Sequence, residues 1–147
     1  MTFFTSSFAV AASHPQAVAV SRGLPRDYTG RVYEPLRPSW GLLGRTRKAA
    51  KVLGEAEARR LFNEEYGRKL AKLDANRVAA DLGEGVVLLC WERDPTDPNT
   101  PCHRTLVAQW LARAGHQVSE LPADHPTHQG SPPRAHGAEQ LGLEFPE

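Results

Sequence analysis

Gly85-Val86-Val87-Leu88-Leu89-Cys90-Trp91-Glu92 is the stretch that decides the fold. Five consecutive apolar residues, Val86 to Cys90, lie between a glycine and a polar loop, and three of the five are leucine or cysteine rather than alternating polar residues. An uninterrupted run of this length is the signature of a strand buried on both faces, which is the situation of strands in parallel sheets. Downstream, Thr100 can cap a helix that has Pro101 at its first position. Leu106, Val107, Trp110, Leu111 and Ala114 then form one apolar stripe, and Gly115 ends it. Gln117 to Leu121 reads as a short strand. Strand, helix and strand at this spacing make a βαβ unit.

Working outward, the rest of the chain fits the same architecture. Thr2 to Val10 and Ala17 to Ser21 read as strands, the second stopped by Gly23 and Pro25. Pro25 to Leu43 holds prolines, glycines and aromatics without helical period, and reads as a structured loop. Glu55 to Leu73 reads as a helix, with Ala58, Leu61, Phe62, Tyr66, Leu70 and Leu73 at three- and four-residue steps. Asp74 is placed to cap a further helix to Leu82, closed by Gly83. The expectation is a small, single α/β domain over residues 1–121 with a mainly parallel sheet and flanking helices. Residues 122–147, rich in Pro, His and Gly and without period, are expected to be a flexible tail.

Composition narrows the class further. A chain of 147 residues with 40% hydrophobic and 24% charged residues suits one soluble domain. No segment has the length of a membrane span, and Met1 to Ala12 lacks the basic start of a signal peptide, so no membrane association is expected. Two cysteines do not make a secreted disulfide framework, which leaves a reducing cytoplasm as the expected location. Charge is unevenly spread: 11 Lys/Arg face 5 Asp/Glu between Arg37 and Arg77, against 4 and 10 from Ala79 onward. A basic middle can meet an anionic partner. Mixed charges at helical pair spacing, as at Glu64, Glu65, Arg68 and Lys69, are also what a solvated helix face carries.

In open α/β sheets ligands bind beyond the carboxyl ends of the strands. Cys90 and Glu92 fall at such an end, and Cys102, His103 and Arg104 fall in the first turn of the helix that starts there. A helix N-terminus carries partial positive charge, so His103 and Arg104 are out of place unless something negative lies near. Glu92, a Cys102 thiolate or a bound phosphate or carboxylate would each serve. Helix start, histidine and arginine together are the surroundings that lower a thiol pKa, which makes Cys102 a candidate nucleophile with Glu92 and Cys90 beside it. Cys90 also suits a packed, small side chain. Zinc on Cys90, Cys102 and a histidine lacks the spacing of a knuckle. Cys90-Trp91-Glu92 and Pro101-Cys102 match only part of a zinc deaminase signature, since Thr105 stands where the last ligand belongs. No metal and no other cofactor is expected. Tyr28-Thr29-Gly30-Arg31, followed by Tyr33, Pro35, Leu36, Pro38 and Trp40, is the other unusual stretch. There Arg31 and Tyr28 can hold a phosphate and stack a base, or simply pack.

In these motifs the chain resembles the family called domain of unknown function 488. The core of the resemblance is an apolar strand running into Cys-x-Glu, here Leu88-Leu89-Cys90-Trp91-Glu92, and then Cys-His-Arg opening a helix, here Cys102-His103-Arg104. Tyr28-Thr29-Gly30-Arg31 with Tyr33, Leu36, Pro38 and Trp40 resembles one subgroup, and the similarity spans about Phe3 to Leu121. The loop from Arg93 to Pro101 is longer than the family pattern, and the tail is extra. The resemblance implies an α/β fold and a site at these residues, but no activity. Two functions stay open. One is an enzyme acting on a nucleotide or nucleic-acid-like anion through Cys102, Glu92 and Cys90, with His103, Arg104, Arg31 and Tyr28 binding the ligand. The other is a non-catalytic ligand-binding or thiol-redox regulatory domain.

Overall fold

The computed structural model describes residues 1–91 and 103–121. Glu92, Cys102, the expected Thr100–Pro101 helix start and the tail lie outside the described residues. Strands β1 (Thr2–Ser7), β2 (Ala17–Ala19), β3 (Arg31–Val32), β4 (Val87–Cys90) and β5 (Gln117–Glu120) form one sheet in the order β3-β2-β4-β1-β5. Every adjacent pair is parallel. The helices are α1 (Phe8–Ala11), α2 (Trp40–Leu53), α3 (Glu55–Ala71), α4 (Ala75–Leu82) and α5 (His103–Arg113), and the expected α/β class is the one observed.

The apolar run at β4 is buried throughout, as a strand with neighbours on both sides requires. Its side chains alternate between two cores. Leu88 faces one built with Phe3, Val18, Phe62, Tyr66, Val107 and Leu111, under α2 to α5. Val87 and Leu89 face a smaller one with Phe8, Ala11, Ala17, Ala19 and Leu121.

Three sequence expectations change. The first strand ends at Ser7, and Phe8–Ala11 turn into a short helix, because Phe8 and Ala11 bury into the smaller core from there. The second strand stops at Ala19 rather than Ser21. The Pro25–Leu43 loop contains a two-residue strand and gives way at Trp40 to helix α2, whose start is capped by Ser39 Oγ accepting from the Leu42 N–H at 3.0 Å. Helix α4 forms as read, with Asp74 accepting from the Asn76 and Arg77 N–H groups and Gly83 closing it at φ 96°.

Strand order sets where a ligand can enter. The chain leaves β1 through α1 toward β2, on the side of the smaller core. It leaves β4, the immediate neighbour of β1, through α5 toward β5, on the side of the larger core. Adjacent strands whose connections depart to opposite sides open a crevice between their carboxyl ends. The last register pair at that crevice is Ser7 with Cys90.

Candidate functional site at the β1–β4 switch point

The end of β1 is polar where a central strand would ordinarily be apolar. Thr5, Ser6 and Ser7 are all buried. Alternation puts Thr5 and Ser7 on the α5 side with Phe3, and Ser6 on the opposite side with Phe4. On β4 the same alternation puts Cys90 on the α5 side with Leu88. Ser7 and Cys90 therefore stand side by side beneath the start of α5.

Arg104, on the first turn of α5, reaches down into this space and is 1% exposed. Among the described residues its guanidinium meets two partners. Nε and Nη2 donate to Glu120 Oε1 and Oε2 at 3.1 and 2.6 Å, a bidentate ion pair. Nη1 donates to Cys90 Sγ at 3.1 Å. Thr5 Oγ1 donates to Glu120 Oε1 at 2.6 Å, which fixes the carboxylate from the sheet side. Among the described residues, Glu120 at the end of β5 supplies negative charge near this helix start. Cys90 forms no disulfide among the described residues.

His103 is also buried and points the other way. Its Nε2 lies 2.9 Å from the Val20 carbonyl, so that nitrogen carries the proton. Its ring meets Tyr66 edge-on at 5.2 Å and Phe62 at 6.2 Å. Burial, aided by the nearby Arg104 charge and opposed by the Val20 hydrogen bond, pushes the imidazole pKa down to about 4. The ring is neutral at physiological pH. Tyr66 Oη donates to the Leu36 carbonyl at 2.5 Å, and burial, with a further contribution from Cys90, raises its pKa above the ordinary tyrosine range. His103 and Tyr66 together tie α5 and α3 to the ends of β2 and the 33–37 turn.

Two hydroxyls at the end of β1, one on each face of the sheet, are left over. Ser6 Oγ and Ser7 Oγ are buried and have no hydrogen-bond partner among the described residues. Buried polar atoms are nearly always paired, so orphans at a switch point mark a place where a further group belongs. Trp91, next after Cys90, borders the crevice from the α1 side: its indole N–H donates to Gly23 O at 2.8 Å and its ring meets Phe8 at 5.2 Å.

The structure brings Cys90, His103 and Arg104 together at this edge. It does not bring Arg31 or Tyr28 there. Arg31 Nη1 and Nη2 donate to the Leu82 and Asp81 carbonyls at 3.0 and 3.3 Å, closing the C-terminus of α4. Tyr28 Oη donates to the Arg31 carbonyl at 2.7 Å, and its ring meets Phe8 edge-on. Glu92 and Cys102 lie outside the described residues. Among the described residues no group of three or more His, Cys, Asp or Glu is placed to hold a metal ion, and no helix is long and apolar enough to cross a membrane. Sequence reading missed Thr5, Ser7 and Glu120. A signal existed for the first two, since Thr-Ser-Ser interrupts an otherwise apolar strand. Glu120 joins the site only because β5 docks beside β1, with Thr5 and Glu120 in register.

A parallel α/β domain with a polar cluster at the switch point of its sheet is the class that fold and site define. The model of the family described as Domain of unknown function DUF488 matches residues 15–111, and the chain belongs to that family. Cys90, His103 and Arg104 fall inside the matched span; Thr5, Ser7 and Glu120 fall outside it. No curated protein and no solved structure matches the chain.

Proposed function

We propose that the crevice beyond β1 and β4 is an active site for a small anionic ligand of nucleotide or nucleic-acid-like character. The observation that carries this reading is the Ser7 hydroxyl, buried and unpartnered beside Cys90 and the Arg104 guanidinium. A group entering there would satisfy Ser7 and lie against sulfur. Because Glu120 occupies two arms of Arg104, we assign Arg104 to positioning Cys90 and Glu120, and His103 to fixing the helix start. Cys102 is then the candidate nucleophile, with Glu92 as its acid–base partner and Cys90 in the floor of the site. Arg31 and Tyr28 brace α4 and the smaller core in this reading.

Alkylation tests it. The full chain and its Cys90→Ala and Cys102→Ala variants are treated with iodoacetamide at pH 7, and the label is located by mass spectrometry. An activated nucleophile requires Cys102 to react many times faster than free cysteine. Two thiols no faster than free cysteine would refute catalysis here. The remaining reading would be the non-catalytic binding or regulatory domain, which the full burial of Cys90 and Arg104 favours.

A further inference from the structure

The basic middle of the chain folds into the α2–α3 hairpin, and its charges sort into two groups. Glu57 and Glu64 are both taken by Arg60, and Glu65 is taken by Arg45. The side chains of Arg68, Lys69 and Lys72, at the end of α3, form no ion pair or hydrogen bond among the described residues. These three residues line one open cleft of about 330 Å³, together with Ser39, Leu42 and Glu65. Cations in the last turn of a helix also suit its dipole, but that role needs no shared cleft. Ser39 and Leu42 belong to the start of α2, which has no acidic residue in its first turn. The dipole of α2 therefore meets no acidic side chain from its own first turn at this end.

We propose that this cleft binds a phosphate group, held by Arg68, Lys69 and Lys72. None of these residues belongs to the Cys90–Arg104 cluster, so the proposal stands whether or not that cluster is catalytic. The only carboxylate on the wall, Glu65, has its charge compensated by Arg45. The volume is at the small end of ligand sites, which suits one phosphate with its attached sugar or the backbone of one strand. The phosphate can come from a free phosphate-bearing molecule or from a nucleic acid, and salt dependence separates the two. A single strand neutralised by three cations loses affinity with a log–log slope of about −2 in salt concentration.

The experiment titrates pyrophosphate and a twelve-residue oligothymidylate into the full chain by calorimetry at low and moderate salt. It repeats both with the triple variant Arg68→Gln/Lys69→Gln/Lys72→Gln, whose far-ultraviolet circular dichroism reports that it is folded. The wild type should bind pyrophosphate at millimolar concentration or below, and the triple variant about tenfold more weakly or worse. Glu65→Gln, which removes the carboxylate and releases Arg45, should bind several-fold more tightly. It supplies the test in the opposite direction should the triple variant not fold. Oligothymidylate binding with a slope near −2 assigns the phosphate to a strand; pyrophosphate binding that the oligomer does not displace assigns it to a small molecule. Failure of the wild type to bind either probe, or equal binding by wild type and triple variant, overturns the proposal.

Discussion

Removing Glu120 should damage the protein more than removing Arg104, although the two are partners. The asymmetry follows from their exposure, 36% for the Glu120 side chain and 1% for that of Arg104. In Glu120→Ala the guanidinium stays buried and loses its two bonds to that carboxylate, a change that costs about 3–5 kcal/mol. In Arg104→Met the charge itself is gone, an apolar stem fills much of the space, and Glu120 can hydrate at the sheet edge while keeping its bond from Thr5. Replacing a buried pair with apolar packing is often close to neutral, so about 1–2 kcal/mol is expected there. The double variant should resemble Arg104→Met alone, because Glu120 has little to do once the cation is absent. Against a parent stability near the middle of the usual range of about 5–15 kcal/mol, all three proteins remain folded and measurable. Urea unfolding followed by tryptophan fluorescence reads the difference, provided the m-values agree. If Arg104→Met costs as much as Glu120→Ala, the guanidinium is not a buried charge dependent on Glu120, and the account of the site as a held, compensated cation fails.

Three further outcomes follow from the same geometry. His103 has a folded-state pKa depressed to about 4 against about 6.5 unfolded. Its contribution is therefore complete above pH 6.5 and is lost as pH falls toward 4, by about 3 kcal/mol in all; His103→Phe should flatten the stability profile over that window, and an unchanged profile would rule out the buried neutral imidazole. Ser7→Ala should raise the stability of the ligand-free protein by about 1 kcal/mol, since it deletes an unpartnered buried hydroxyl, and should weaken any ligand of the crevice; a fall in Tm without ligand would mean that Ser7 already has a partner. Ending the chain after Pro122 should leave a cooperatively folded domain with a Tm within a few degrees of the full chain, and a loss of many degrees on differential scanning calorimetry would place Leu141, Leu143 or Phe145 in the core.

Much of the fold could be read because its signals are local. The Asp74 cap, the Gly83 stop and the apolar run at β4 each depend on a few adjacent residues, and each is found where it was read. Helix α2 escaped for a physical reason: Leu42 is its one fully buried residue, so it has no apolar stripe to reveal a period. Strand β3 is two exposed residues long and carries no pattern at all. At the site, Cys90, His103 and Arg104 could be placed at one edge because a strand end and a helix start are neighbours in sequence. The carboxylate that completes the cluster could not be identified, since Glu120 reaches Arg104 through the order of strands in the sheet. Arg31 illustrates the reverse error of emphasis. An arginine in an aromatic loop suggested a ligand, and its guanidinium closes the carbonyl end of α4.

The sheet order also governs how the chain can assemble. Strand β1 lies between β4 and β5, so Phe4 waits for Val87 on one side and Thr2 waits for Gln117 on the other. During synthesis the α2–α3 hairpin can close on itself well before either partner of β1 exists. Until about residue 120 has emerged, Phe3, Phe4 and Phe8 have no completed core to enter, and both edges of their strand are unpaired. Such a topology completes its sheet late, and leaves the apolar residues of β1 exposed until β4 and β5 have been made.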